Sequence, residues 1–135
     1  MEELGSSNSE AVREALSGYE LARSSYRKRL YADVCLKAYH TVYNILKAYA
    51  RERDREAIIS GDDLVSIAID LGISDPEILQ ELSRLSFILV YVKYPELKIY
   101  GDVEFHGSLA RKCLRAIRVV ALKLLNLNLP SNQLT

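Results

Sequence analysis

Two histidines, His40 and His106, are the side chains of this sequence best suited to acid–base chemistry near neutral pH. His106 follows a segment that contains Lys93 and Tyr94, and a histidine on a loop there could contact a phosphate or a nucleotide. The alternative for His106 is an exposed position at the start of a helix. His40 lies among apolar residues on a predicted helix, so we expect a partly buried structural side chain.

The last predicted helix is basic along its length. Residues 108–127 contain no acidic residue and five basic ones: Arg111, Lys112, Arg115, Arg118 and Lys123. At about 100° per residue, the three arginines fall within about 60° of one another, and guanidinium groups match phosphate oxygens in geometry. Such a stripe could bind a nucleotide or nucleic acid, or it could pair with acidic residues of the same chain or of a second copy. A solvated face is a further alternative.

A second basic cluster lies near the predicted end of the first helix. Arg23, Arg27, Lys28 and Arg29 surround Tyr26. Basic residues interleaved with an aromatic ring can bind a single strand by charge and stacking. The alternative is a helix end that carries cations where the helix dipole favours them.

Nine tyrosines and no tryptophan give the sequence an unusual aromatic composition. Tyr91, Tyr94 and Tyr100 cluster around a predicted loop, where they could stack on a base. Packing at the seam of a dimer is the alternative role for these three rings.

The two cysteines, Cys35 and Cys113, are too few for a metal site or a disulfide framework. We interpret them as two small buried hydrophobic residues. A disulfide is the alternative, chiefly for a protein from a hyperthermophile. The sequence contains neither a phosphate-binding P-loop nor a dinucleotide-binding glycine motif. We therefore expect no metal and no cofactor.

Charge is distributed unevenly along the 135 residues, although the net charge is zero. Residues 1–51 carry +2, residues 52–104 carry −7 and residues 105–135 carry +5. Length and composition are those of one soluble globular domain. No apolar run approaches the ~20 residues of a membrane span. Because the N-terminus is acidic and polar, we expect a cytoplasmic protein without a signal peptide.

The elements that position these side chains are predicted to be helices. The first begins at Ser7, which has the capping-box spacing to Glu10, and it ends near the basic run 27–29. The second covers about 31–53. Its wide apolar stripe is typical of a central helix in a bundle.

Two shorter patterns follow in the middle of the chain. A short helix is predicted over about 62–71, with Gly61 or Asp62 as its cap and Gly72 as its end. The next helix starts at the second S-x-x-E spacing, Ser74 to Glu77.

The fourth helix is predicted to end near residue 91, and residues 93–105 form a loop. Residues 87–92 also have strand propensity, but they continue a helical period, so we favour a helix. The last helix starts at Asp102 or Ser108 and ends near residue 127. The prediction is an all-α fold, an antiparallel up-and-down bundle of four long helices plus one short helix.

Three stretches of the sequence resemble the HEPN domains (higher eukaryotes and prokaryotes nucleotide-binding). One is Leu30-Tyr31-Ala32-Asp33-Val34-Cys35 leading to Ile45-Leu46-Lys47-Ala48-Tyr49, which is similar to the family's second helix. Gly61-Asp62-Asp63-Leu64-Val65 resembles the start of its short third helix. Tyr91-Val92-Lys93-Tyr94-Pro95-Glu96 looks like the family's Y-x-x-x-R-Y-P-D phrase.

The resemblance implies a five-helix bundle that usually forms homodimers. Some members are metal-independent ribonucleases, often toxins, and others accompany a small nucleotidyltransferase. The ribonucleases share an Arg followed after four to six residues by His, and no arginine has that spacing to either histidine here. We therefore expect no catalytic residues, with a degenerate ribonuclease or a purely structural interaction protein as alternatives.

The resulting hypothesis is a non-catalytic module that binds a nucleotide, RNA or a nucleotidyltransferase partner. The predicted nucleotide-binding residues are Lys93, Tyr94, His106, Arg84, Arg111, Arg115 and Arg118. The predicted domain organisation is a disordered N-terminus over 1–8, one HEPN-like domain over 9–127 and a flexible tail over 128–135.

Overall fold

In a computed structural model, the described part of the chain folds into five helices. The model describes residues 2–54, 63–93 and 103–131, with the side chains of 2–8, 91–93 and 103–105 excepted. The helices are α1 (Glu2–Arg27), α2 (Tyr31–Glu52), α3 (Leu64–Asp70), α4 (Pro76–Lys93) and α5 (Val103–Leu125). No strand occurs within the described ranges, and the predicted all-α bundle is confirmed.

Helix α2 lies at the centre of the bundle and contacts each of the other four helices. Gly18 brings α1 close to it, because a Cβ at that position would overlap the Thr41 hydroxyl. The predicted apolar stripe of α2 is buried between α1, α4 and α5. Its buried residues are Val34, Cys35, Ala38, Thr41, Val42, Ile45, Leu46, Ala48 and Ala50.

Aspartates cap α3 and α4, the two helices within the acidic middle of the sequence. Asp63 accepts a hydrogen bond from the backbone N–H of Val65 at 3.1 Å, so it takes the capping role predicted for Gly61 or Asp62. Asp75 accepts from the backbone N–H of Glu77 at 2.8 Å, and it replaces the predicted Ser74. Each aspartate directly precedes the first residue of its helix, so its carboxylate reaches the free backbone N–H groups.

The other helix boundaries agree in type and differ by a few residues. Helix α1 begins at Glu2 rather than at Ser7, and α5 begins at Val103, next to the first of its two predicted starts. Helix α4 continues through residues 87–93, which confirms the helix over the strand alternative. The rest of the predicted 93–105 loop, residues 94–102, lies outside the described residues.

The segment after α5 returns along the bundle. Leu129 is buried, and the carbonyl of Pro130 accepts a 2.5 Å hydrogen bond from the hydroxyl of Tyr19. Residues 128–131 therefore pack on α1, and the rest of the predicted tail, residues 132–135, lies outside the described residues. An apolar side chain at 129 gives this segment something to bury.

Candidate functional site

The C-terminal half of α5 is neutralised by α4. Glu81, only 2% exposed, accepts hydrogen bonds from Arg115 at 2.9 Å and from Arg84 at 3.0 Å. Lys123 lies 2.9 Å from Asp75 and 3.0 Å from Glu77. The acidic segment of the sequence thus pairs with the basic one inside a single chain, which is one of the alternatives left open for the stripe.

The pKa values of these groups move in the directions that ion pairing requires. The hydrogen bond to Glu81 raises the pKa of Arg115, and the neighbouring Glu77 adds to this effect. The hydrogen bond from Lys123 lowers the pKa of Asp75, and Asp75 in turn raises that of Lys123. The charges on this face therefore stabilise one another.

Arg118 has a different intramolecular contact. Its guanidinium donates to the hydroxyl oxygen of Tyr19 at 3.1 Å, and the same hydroxyl donates to Pro130. Arg118 is half-buried, so the three groups hold α1, α5 and the segment after α5 together.

The N-terminal half of α5 faces the turn between α1 and α2. Arg111 donates to the hydroxyl oxygen of Tyr26 at 2.9 Å across 85 residues of sequence. The ring of Tyr26 lies 5.7 Å from that of Tyr31, centroid to centroid. Gly107 packs on the ring of Tyr31, since a Cβ at position 107 would lie 3.5 Å from the hydroxyl oxygen of Tyr31. These contacts bring both basic clusters of the sequence to one end of the bundle.

We call this surface the basic patch and define it by five exposed cations. Within the described residues, none of the five has a carboxylate partner. Asp33, an acid near the patch, is bound by Lys37 and accepts a 2.6 Å hydrogen bond from Ser25. These bonds lower the pKa of Asp33, the one from Lys37 most. The patch consists of Arg27, Lys28, Arg29, Arg111 and Lys112.

The turn that carries the patch has an unusual residue at its centre. The backbone N–H of Leu30 donates to the carbonyl of Ser25 at 2.9 Å, and the backbone N–H of Arg29 donates to the carbonyl of Tyr26 at 2.9 Å. This pair of hydrogen bonds is the pattern of a Schellman helix end. Arg29 therefore takes the left-handed position, with φ 62°. The same motif ends α3, where Gly72 has φ 87°.

Glycine is the residue that this left-handed position favours, and asparagine and aspartate tolerate it. Among the described residues, the other non-glycine residues with positive φ are Asp54 and Asn126. Arginine at such a position costs backbone energy that glycine would avoid. The patch therefore includes a cation at a position that local backbone preference disfavours.

The structure distributes the predicted site residues over several places. Arg111 and His106 lie at the N-terminal half of α5, and His106 is half-buried directly before Gly107. The predicted basic turn, 27–29, joins them there. Arg84, Arg115 and Arg118 have the intramolecular partners described above. Lys93 ends α4, but its side chain and all of Tyr94 lie outside the described residues.

His40 is exposed, whereas a partly buried position was predicted. It contacts the ring of Tyr39 and lines a groove of about 320 Å³ between α1 and α2. Its position on α2 turns it outward from the buried stripe. Among the described residues that line this groove, Lys37 is the basic one, and it forms an ion pair with Asp33.

Two residues that shape the patch, Tyr31 and Gly107, were not among the predicted site residues. Tyr31 was noted only within the family phrase of the second helix. The signal that could have found Gly107 is a lone glycine early in a helix, which often marks a close approach.

The family model for the HEPN domain matches residues 9–126. The chain belongs to the HEPN domain family. This family includes nucleotide-binding and ribonuclease-type domains, and HEPN domains commonly dimerise. No curated protein and no solved structure matches the chain.

Within the described residues, no helix is long and apolar enough to cross a membrane. The same residues contain no group of three or more metal-ligating side chains.

Proposed function

We propose that this HEPN domain is a non-catalytic module that binds the phosphates of a nucleotide or of a nucleotide-containing strand at the basic patch. The observation that carries the proposal is the meeting of five cations, from the end of α1, the turn that follows it and α5, at a place without a carboxylate partner among the described residues. Cations that are not neutralised within the chain remain available to phosphate oxygens.

The strained arginine of the turn supports the same surface. A left-handed Arg29 lowers the stability of the α1 end relative to glycine, and within the described residues its side chain has no hydrogen bond or ion pair that would compensate. Backbone strain of this kind is typical of functional positions. Binding to an anion would supply the compensating interaction.

The non-catalytic assignment rests on the sequence around the histidines. In the family's Arg-x4–6-His pattern the arginine stands five to seven positions before the histidine, and for His106 these positions hold Ile99, Tyr100 and Gly101. A histidine without that arginine lacks the partner that would stabilise charge on the phosphate. We further propose a cytoplasmic homodimer that works with a small nucleotidyltransferase, as other HEPN domains do.

The experiment is a titration of the purified protein with ATP by calorimetry and with a labelled single-stranded RNA by fluorescence anisotropy. For RNA, we expect saturable binding. The logarithm of the association constant should fall linearly with the logarithm of the salt concentration. For a single strand, each phosphate contact contributes about −0.7 to the slope of this plot. About three to five contacts therefore give a slope between about −2 and −3.5. RNA cleavage would instead support the ribonuclease alternative, and absence of binding to either ligand would refute the proposal.

The variant R29G separates binding from folding. Because glycine suits the left-handed position, we expect R29G to raise the free energy of unfolding by about 0.5–1 kcal/mol in urea denaturation. The same variant should bind RNA about three- to tenfold more weakly, since it removes one phosphate-binding cation.

The matched control is R13A, which removes an exposed arginine from α1 about 20 Å from the patch. We expect R13A to leave RNA affinity within about twofold of the wild type. If R29G binds as tightly as R13A, the patch is not the binding surface.

A further inference from the structure

Cys35 and Cys113 meet in the core between α2 and α5. Their Sγ atoms lie 2.9 Å apart, and the residues are 2% and 0% exposed. They are 78 positions apart in the sequence. Both sulfurs are surrounded by the buried stripe of α2 and the buried face of α5. The fold therefore aligns the two thiols with no other group between them.

We propose that Cys35 and Cys113 are the site of an intramolecular disulfide that links α2 to α5. A disulfide bond needs an S–S distance of about 2.05 Å, so the sulfurs must approach each other by less than 1 Å. This inference does not depend on the proposed function.

The reaction is a two-electron oxidation by a small-molecule disulfide such as oxidised glutathione. One protein thiolate attacks the glutathione disulfide and releases one glutathione thiol. The second protein thiolate then attacks the mixed disulfide, forms the Cys35–Cys113 bond and releases the second glutathione thiol. The two protons of the protein thiols pass to the departing glutathione sulfurs.

Burial determines when this reaction takes place. The hydrogen bond with Cys35, together with burial, raises the pKa of the Cys113 thiol. The thiolate is the nucleophile in disulfide exchange, so the folded, reduced protein reacts slowly. The bond forms while the chain folds or during local opening of α5, and burial then protects it from reductants.

The bond would join the helix that carries Arg111 and Lys112 to the central helix of the bundle. It closes a loop of nearly 80 residues, and a long closed loop restricts the unfolded chain strongly. The oxidised protein should therefore have a Tm higher than that of the reduced protein by on the order of 10 °C.

The test refolds the reduced, denatured protein in a buffer of oxidised and reduced glutathione, followed by thiol alkylation under denaturing conditions and intact-mass measurement. We expect a monomer that has lost about 2 Da and takes up no alkylating agent. Thermal unfolding of this species, with and without prior reduction, should show the rise in Tm.

The variants C35A and C113A are the controls, because each retains one thiol and a small apolar side chain in the core. Neither should lose about 2 Da, and neither should show a redox-dependent Tm. The inference is overturned if the refolded wild type has two alkylated thiols, a stable glutathione adduct or only disulfides between chains.

Discussion

The two halves of α5 carry the same kinds of cation in different surroundings. In the C-terminal half, Arg115 and Lys123 are bound by carboxylates of α4 and of its cap. In the N-terminal half, Arg111 contacts a tyrosine hydroxyl, and Lys112 has no carboxylate partner among the described residues. The difference shows that a basic stripe has no single role along one helix. The segment that packs beside each cation decides whether it stabilises the fold or remains available to a ligand.

The largest effect is expected from the neutralised half. The double variant R84A/R115A leaves the buried carboxylate of Glu81 without its two cations. A buried charge without a partner is strongly destabilising, so the free energy of unfolding should fall by about 3 kcal/mol in urea denaturation at neutral pH.

Glu81 itself provides the control for that variant. Adding E81Q to R84A/R115A removes the buried charge and should recover most of the lost stability. If R84A/R115A unfolds at the wild-type urea concentration, the arginines do not act through Glu81.

A second variant removes the carboxylates that neutralise the C-terminal half of α5, so that this half also carries unpaired cations. The variant D75N/E77Q releases Lys123 from both of its carboxylates, and asparagine keeps the helix cap of Asp75. We expect RNA affinity at constant ionic strength to rise about two- to fivefold, with a steeper salt dependence, because more cations become available to phosphates. If D75N/E77Q leaves the RNA affinity unchanged, pairing with carboxylates is not what keeps these cations from binding phosphates.

The smallest effect concerns the acid beside the patch. The pKa of Asp33 is lower in the folded protein than its ordinary value of 3.8, chiefly through Lys37 and then Ser25. Its contribution is therefore present above pH 3.8 and is lost as the pH falls through the lower, folded-state pKa.

Because Asp33 is partly exposed, this contribution is about 0.5 kcal/mol or less. We expect the free energy of unfolding, measured in urea, to fall less for D33N than for the wild type when the pH is lowered from 5 to 2.5. This pH range spans the ordinary pKa of an aspartate. Identical pH profiles would exclude a stabilising Asp33–Lys37 pair.

The sequence predicts the fold well because helical period and glycine stops are local properties. The end of α3 at Gly72 and the buried stripe of α2 are confirmed for that reason. Caps were displaced to Asp63 and Asp75, since S-x-x-E spacing does not show which nearby side chain reaches the free N–H groups.

The site was harder to predict because it depends on contacts between distant segments. The sequence contains both basic clusters, but only the packed helices place Arg111 on Tyr26. The left-handed Arg29 could not be foreseen, because arginine has no preference for that conformation. The sequence raised intramolecular pairing of the stripe as an alternative, and the structure identifies Arg115 and Lys123 as the paired cations.

The most direct test compares R111A/K112A with R115A/K123A. Each variant removes one guanidinium and one ammonium group from α5, so the change in net charge is the same. Binding of a labelled single-stranded RNA is measured by anisotropy at one ionic strength, after circular dichroism has shown that both variants are folded. We predict that R111A/K112A weakens binding about tenfold and R115A/K123A less than twofold. Equal losses in the two variants, or a larger loss in R115A/K123A, would contradict the assignment of the ligand to the basic patch.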